Sequence, residues 1–220
     1  MRNSWIIGVL IVMFFMLCRP AIANELFRYN YVNAVYGKAT YDMRGSSQKA
    51  DGSLYGVIGS YAIHELVAIG VQYKKTKKSF DGSFSGTPVS ITSIGNSLAM
   101  GVTLHKMVSN STELGLDLVR DHSSTDATTA TFAGLLFTVP ASTDNTNAFG
   151  IRVRTAIVPE FRLMASVGRT TGGNFAASTD YSIGAEYELG KNFSMDAKYV
   201  LNTISTGNSR GLIVNGRYYY

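Results

Sequence analysis

The sequence predicts an all-β protein: a single transmembrane antiparallel β-barrel of about ten strands behind an N-terminal signal peptide. Three observations predict it. Residues 211–220 alternate, with Leu212, Val214, Gly216, Tyr218 and Tyr220 suited to lipid and Ile213, Asn215, Arg217 and Tyr219 mixed, as an inner wall would be. The amino end carries a secretion leader. No apolar stretch after Ala23 is long enough for a membrane-crossing helix, while tyrosine, glycine, serine and threonine abound, which is strand and turn chemistry.

Residues 1–23 read as the signal peptide and 24–220 as the barrel domain. Arg2 supplies a basic start, residues 5–17 are almost continuously apolar, and Ala21-Ile22-Ala23 is a small-x-small cleavage site. The apolar run is short of the ~20 residues that a spanning helix needs. Cys18 is the only cysteine and leaves with the leader, so neither a disulfide nor a thiolate metal site is expected. Phe15, Met16 and Leu17 are too bulky for a lipoprotein signal at Cys18. Losing Arg2 and Arg19 leaves 18 basic residues against 15 acidic ones, too mild a balance to suggest a nucleic-acid partner.

Period-two reading gives ten strands, each with an outward apolar set. The first, about 27–41, presents Phe27, Tyr29, Tyr31, Val35 and Tyr41, and the second Tyr55, Val57, Tyr61 and Ile63. After a turn at His64-Glu65 the third presents Val67, Ile69, Val71 and Tyr73. A long excursion over 74–97 precedes the fourth, with Leu98, Met100, Val102 and Leu104; the fifth has Leu114, Leu116 and Leu118. The longest loop, 121–147, contains an apolar island at 132–139. Strand six offers Phe149, Ile151, Val153 and Ile157, and strand seven Phe161, Leu163, Ala165 and Val167. Strands eight and nine offer Tyr181, Ile183, Ala185, Tyr187 and Leu189, then Phe193, Met195, Ala197, Tyr199 and Leu201. Eight strands remain an alternative count.

Short turns at 64, 110, 159 and 191 alternate with longer polar loops, the rhythm of an outer-membrane barrel with periplasmic termini and extracellular loops. Aromatics near both ends of the strands, such as Tyr41, Tyr55, Tyr73, Phe149, Tyr181 and Tyr199 against Tyr29, Tyr61, Phe161, Tyr187, Phe193 and Tyr218, read as two interfacial girdles. The opposite faces carry charge. Arg28, Lys38, Glu113, Asp117, Arg152, Arg154, Arg162, Glu186, Glu188, Asp196, Lys198 and Arg217 are expected to line the lumen, with Lys74 beside them. Asp117 can reach Arg152 or Arg154, and Arg162 can reach Glu186 or Glu188, so the interior is expected to be plugged by ion pairs. The alternative is a small pore that favours anions.

The leader, the alternating strands, residues 190–199 (Gly-Lys-Asn-Phe-Ser-Met-Asp-Ala-Lys-Tyr) and the terminal Tyr218 and Tyr220 resemble small outer-membrane barrels of the opacity and OmpA-like porin type. That resemblance implies insertion by the outer-membrane assembly machinery, with Tyr218 and Tyr220 as the assembly signal. It also implies a role among adhesins, structural barrels and small pores, in contact with outer-membrane lipid and a surface ligand. His122-x-Ser124 resembles the His-x-Ser of lipid A deacylases, but Thr125 stands where that motif has asparagine, and no enzyme activity is expected. Omptin proteases, also ten-stranded, have much longer chains. Dispersed His64, His105 and His122 predict no metal site, and no cofactor motif is present. Lys74, Lys75, Lys77 and Lys78 form the strongest local signal, a cluster that could pair with lipopolysaccharide phosphates.

Overall fold

The computed structural model describes residues 26–43, 49–84, 87–173, 177–205 and 207–220; the expected leader lies outside them. Among the described residues twelve strands form: β1 Tyr31–Met43, β2 Lys49–His64, β3 Val67–Phe84, β4 Thr87–Met107, β5 Thr112–Thr125, β6 Thr128–Phe132, β7 Leu135–Val139, β8 Ser142–Val158, β9 Phe161–Thr171, β10 Ser178–Gly190, β11 Phe193–Ile204 and β12 Gly207–Tyr219. Ten of them close a ring in the order β3-β2-β1-β12-β11-β10-β9-β8-β5-β4, completed by the β3–β4 pairing. Every pairing in the ring is antiparallel. Closure removes all free edges from the ring, which a lipid environment requires because it offers backbone groups no partners.

The start of β1, the end of β12 and the four tight connections, at residues 65–66, 108–111, 159–160 and 191–192, share one end, here the turn end. Three of those turns follow a register shift, between Ala62 and His64, Ala156 and Val158, and Glu188 and Gly190. Such bulges let a twisted ribbon reverse within two residues. The opposite, loop end differs from expectation. The excursion at 74–97 is mostly strand: β3 and β4 stay paired from Val67↔Leu104 to Phe84↔Thr87. The 121–147 loop likewise becomes the ends of β5 and β8 with the hairpin β6–β7 between them. That hairpin lies outside the ring, joined to β4 through Val89↔Phe132, Ser90↔Thr131 and Ile91↔Ala130. Its turn places Ala133 at φ 54° and Gly134 at φ 78°, the positive values that a two-residue turn needs to match strand twist.

In nine ring strands the outward face is the one that the alternation predicts. Leu114, Leu116 and Leu118 on β5 are 44%, 37% and 47% exposed, while Glu113 between the chain's turn and Leu114 is 2% exposed. Strand β1 is inverted. Phe27, Tyr29 and Val35 are buried inside, and Tyr36 faces out, 51% exposed, beside Tyr55 on β2. Aromatic rings of this strand and of the segment just before it pack against interior arginines and a histidine instead of lipid, so the reading that sends every aromatic outward fails here. Tyr29 and Tyr41 therefore leave the girdles, and Tyr36 joins them.

Candidate functional site

The turn end of the lumen is filled by two joined charge networks and by the segment before β1. In the first network Glu113 Oε1 accepts hydrogen bonds from the Tyr29 hydroxyl at 2.7 Å and from Arg154 Nε and Nη2 at 3.0 and 2.8 Å. The His105 ring stacks on Tyr29 with centroids 3.9 Å apart, and its Nδ1 lies 3.6 Å from Glu113 Oε2. Arg154 also caps the Phe27 ring at 4.8 Å. In the second, Glu186 Oε1 accepts from Tyr219 at 2.6 Å, Ser194 at 2.7 Å and Arg217 Nη1 at 2.8 Å. Arg217 Nη2 donates to Asp196 at 2.9 Å, and Asn215 donates to the other oxygen of the same carboxylate. Arg162 bridges to Glu188 at 2.6 Å and approaches Glu186 at 3.7 Å.

Residues 26–30 close this layer from outside. Phe27 and Tyr29 insert into the lumen, 1% and 3% exposed. Arg28 stays at the rim, where its guanidinium donates to Glu188 at 2.8 Å and to the Lys191 carbonyl, and covers the Tyr219 ring at 3.9 Å. Asn30 holds the segment in register by accepting from the Ala62 amide at 2.8 Å. A buried layer of this kind is stable only because nearly every charge meets an opposite charge or a phenol.

Above the layer the lumen widens into a cavity of about 370 Å³ lined by Lys74, Arg152, Lys198, Asp117, Tyr31 and Gln72, among others. Arg152 reaches Asp117 at 3.4 Å, and Lys198 reaches Asp196 at 3.6 Å. Toward the loop end the inner wall carries Lys78 among polar and acidic, hydrogen-bonded side chains, with Ser97 on Asp121 at 2.7 Å, Ser166 on Ser182 at 2.7 Å and Asn202 on Asp180. The interior is thus asymmetric: tightly packed at the turn end, roomy and polar at the loop end.

Of the residues expected in the lumen, Glu113, Asp117, Arg152, Arg154, Arg162, Glu186, Glu188, Asp196, Lys198 and Arg217 face it, and Arg28 sits at its rim. Lys38 does not. It points outward opposite Leu212 and Ser53, because the parity of β1 is inverted. The four-lysine cluster also divides. Strand alternation turns Lys74 into the cavity and Lys78 onto the inner Tyr41 ring at 4.8 Å, while Lys75 and Lys77 face outward opposite Tyr55 and Ser53. A run that looked like one patch in a loop is two patches on opposite sides of a wall.

Tyr218 is 44% exposed on the outer face, and the Tyr220 hydroxyl donates to the Ser60 carbonyl at 3.3 Å. His122 lies on the outer face of β5 with Nδ1 3.0 Å from Asn145 Oδ1, an amide partner and not a carboxylate. Among the described residues no three of His, Cys, Asp and Glu gather as metal ligands. The alternation put Tyr219 on the inner wall, where it is buried, but missed Phe27 and Tyr29 as parts of the inner seal. The Phe-x-Tyr pattern directly before a strand was the available signal, but it reads equally well as an interfacial girdle.

A closed ring with leucine, valine and tyrosine outside and paired charges inside defines an integral β-barrel of the outer membrane. The chain matches the outer membrane protein beta-barrel domain over residues 9–217 and belongs to that family. No curated protein matches its sequence. Among solved structures it is similar to the transport unit of the autotransporter AIDA-I from Escherichia coli, at 12% identity and a TM-score of 0.56, covering 97% of each chain. The translocator domain of the autotransporter NalP from Neisseria meningitidis is 14% identical with a TM-score of 0.54, over 86% of this chain and 88% of that one. An outer membrane channel from Pseudomonas putida is 10% identical with a TM-score of 0.50, over 86% and 95%. At these identities the likeness is one of fold.

Proposed function

We propose that the chain is a non-enzymatic barrel with a closed lumen, its termini in the periplasm and its loop end outside the cell, which makes surface contacts through that end. The β6–β7 hairpin carries this reading. Among the described residues strand β7 pairs only with β6, and its Leu135, Leu136, Phe137 and Val139 are 63%, 75%, 48% and 50% exposed. An apolar strand with a free edge is a template for another chain or an apolar surface. Proteins usually blunt such edges, so its retention at the loop end favours a contact role. The test is cell–cell aggregation and attachment to polystyrene by cells displaying the barrel. Leu135→Ser, Leu136→Ser and Phe137→Ser together are expected to reduce both while heat-modifiable gel migration stays intact; equal attachment would remove this reading.

The second reading is a small anion-selective pore, favoured by the cationic cavity at Lys74, Arg152 and Lys198. It predicts discrete single-channel steps from the native barrel in planar bilayers. The packed turn end predicts silence.

A further inference from the structure

The outer wall near the loop end carries an open groove of about 670 Å³ across β11, β12, β1, β2 and β3, lined by Arg210, Lys38, Lys77, Ser53, Tyr199 and Leu212 among others. Strand pairing fixes its layout: Leu212 lies opposite Tyr199 and Lys38, Lys38 opposite Ser53, and Ser53 opposite Lys77. Along this one outward row the side chains change from aromatic and aliphatic to cationic. In a barrel of tilted strands such a row climbs relative to the membrane plane, so it crosses from the acyl region into the head-group region. The outward tyrosines Tyr36 and Tyr55, 51% and 52% exposed, mark the boundary directly below Lys38 and Ser53, with Lys75 opposite Tyr55.

The cations here are under-compensated. Among the described residues no carboxylate comes within ion-pair distance of Lys38, Lys75 or Lys77, and Arg210 has only a 3.7 Å contact to Asp42, both half-exposed. The groove's own carboxylate, Asp51, accepts from Thr40 at 3.4 Å. On adjacent strands spaced by about 4.8 Å, Lys38 and Lys77 stand roughly 10 Å apart with Ser53 between them, enough to straddle a phosphate group. Lysine, arginine and hydroxyl donors around a site touching aliphatic wall match a phosphorylated sugar carrying acyl chains.

We propose that this groove seats the phosphorylated head group of an outer-leaflet lipopolysaccharide, with Lys38, Lys77 and Arg210 holding phosphate and Tyr199 and Leu212 against the first acyl carbons. The inference rests on the loop end facing outward. One of the four clustered lysines, Lys77, serves the site, joined by two cations distant in sequence, Lys38 and Arg210.

The test is binding of bisphosphorylated lipid A by the refolded barrel in phosphatidylcholine nanodiscs. The Lys38→Gln, Lys77→Gln, Arg210→Gln triple variant is expected to bind at least about tenfold more weakly, the loss of one or more charge-assisted contacts. A second triple variant, Lys106→Gln, Arg169→Gln, Lys191→Gln, removes equal charge elsewhere and is expected to bind as the native protein does. Equal binding by both variants, or equal binding of dephosphorylated lipid A, overturns the proposal. Competition by inorganic pyrophosphate as strong as that by lipid A would show a phosphate site that ignores lipid and would overturn it as well. Conductance is read separately, so a barrel that conducts yet binds lipid A sinks the closed-lumen reading alone.

Discussion

Arg154 and Glu113 are 5% and 2% exposed, so removing either leaves the other charge buried without its partner. Arg154→Ala is expected to cost about 3–5 kcal/mol, measured by urea unfolding in detergent. The joint Arg154→Met, Glu113→Gln variant is expected to cost clearly less, because it leaves no orphan charge. Tyr29→Phe deletes the 2.7 Å hydrogen bond to Glu113 but keeps the stacking on His105, and about 1–3 kcal/mol is expected for it. At this scale the sequence was readable wherever a charge alternated with an aliphatic side chain: the register puts Arg162 directly opposite Glu186, as strand parity requires. It was unreadable on β1, where tyrosine suits lipid interfaces and guanidinium-rich interiors equally well. Lys38 followed the wrong face for that reason alone.

Among elements, the four tight turns were visible in the chain but the extended ribbons were not. Within the bilayer one face of a strand must be apolar, and this constraint produces the alternation. From the head-group level outward neither face need be apolar, so Lys74 through Asp81 lose the period-two signal although β3 runs on to Phe84. The apolar island at 132–139 showed itself by composition, yet its place as an added hairpin depends on pairing with Val89 and Ile91 far away in sequence. Ala133 occupies a positive-φ turn position at a cost that glycine does not bear. Ala133→Gly is expected to slow amide exchange across Phe132 and Leu135 without altering the ring, whereas Ala133→Val is expected to fray the hairpin.

For the molecule as a whole, the proposed closed lumen rests on the packed turn end, which would make the barrel a vessel sealed at one end. Replacing Phe27 and Tyr29 together by alanine removes the two rings wedged under Arg154 and beside His105. The expected outcome is water entry and small conductance steps from an otherwise silent barrel, with anion bias from Arg152 and Lys198. Unchanged silence would place the seal in the Glu186 and Arg217 network by itself.

The ring is joined where β1 meets β12 along all 13 residues of β1. These strands stand at opposite ends of the domain, so the contact with the greatest chain separation is also the one that closes the structure. Loop-closure entropy makes such a seam late to form and places a kinetic barrier on the whole molecule. Until Gly207–Tyr219 docks, every partly assembled form exposes two hydrogen-bonding edges to its surroundings. Substitutions that weaken seam pairs such as Ala34↔Gly216 therefore act first on the rate of acquiring the native state and on losses to aggregation along the way.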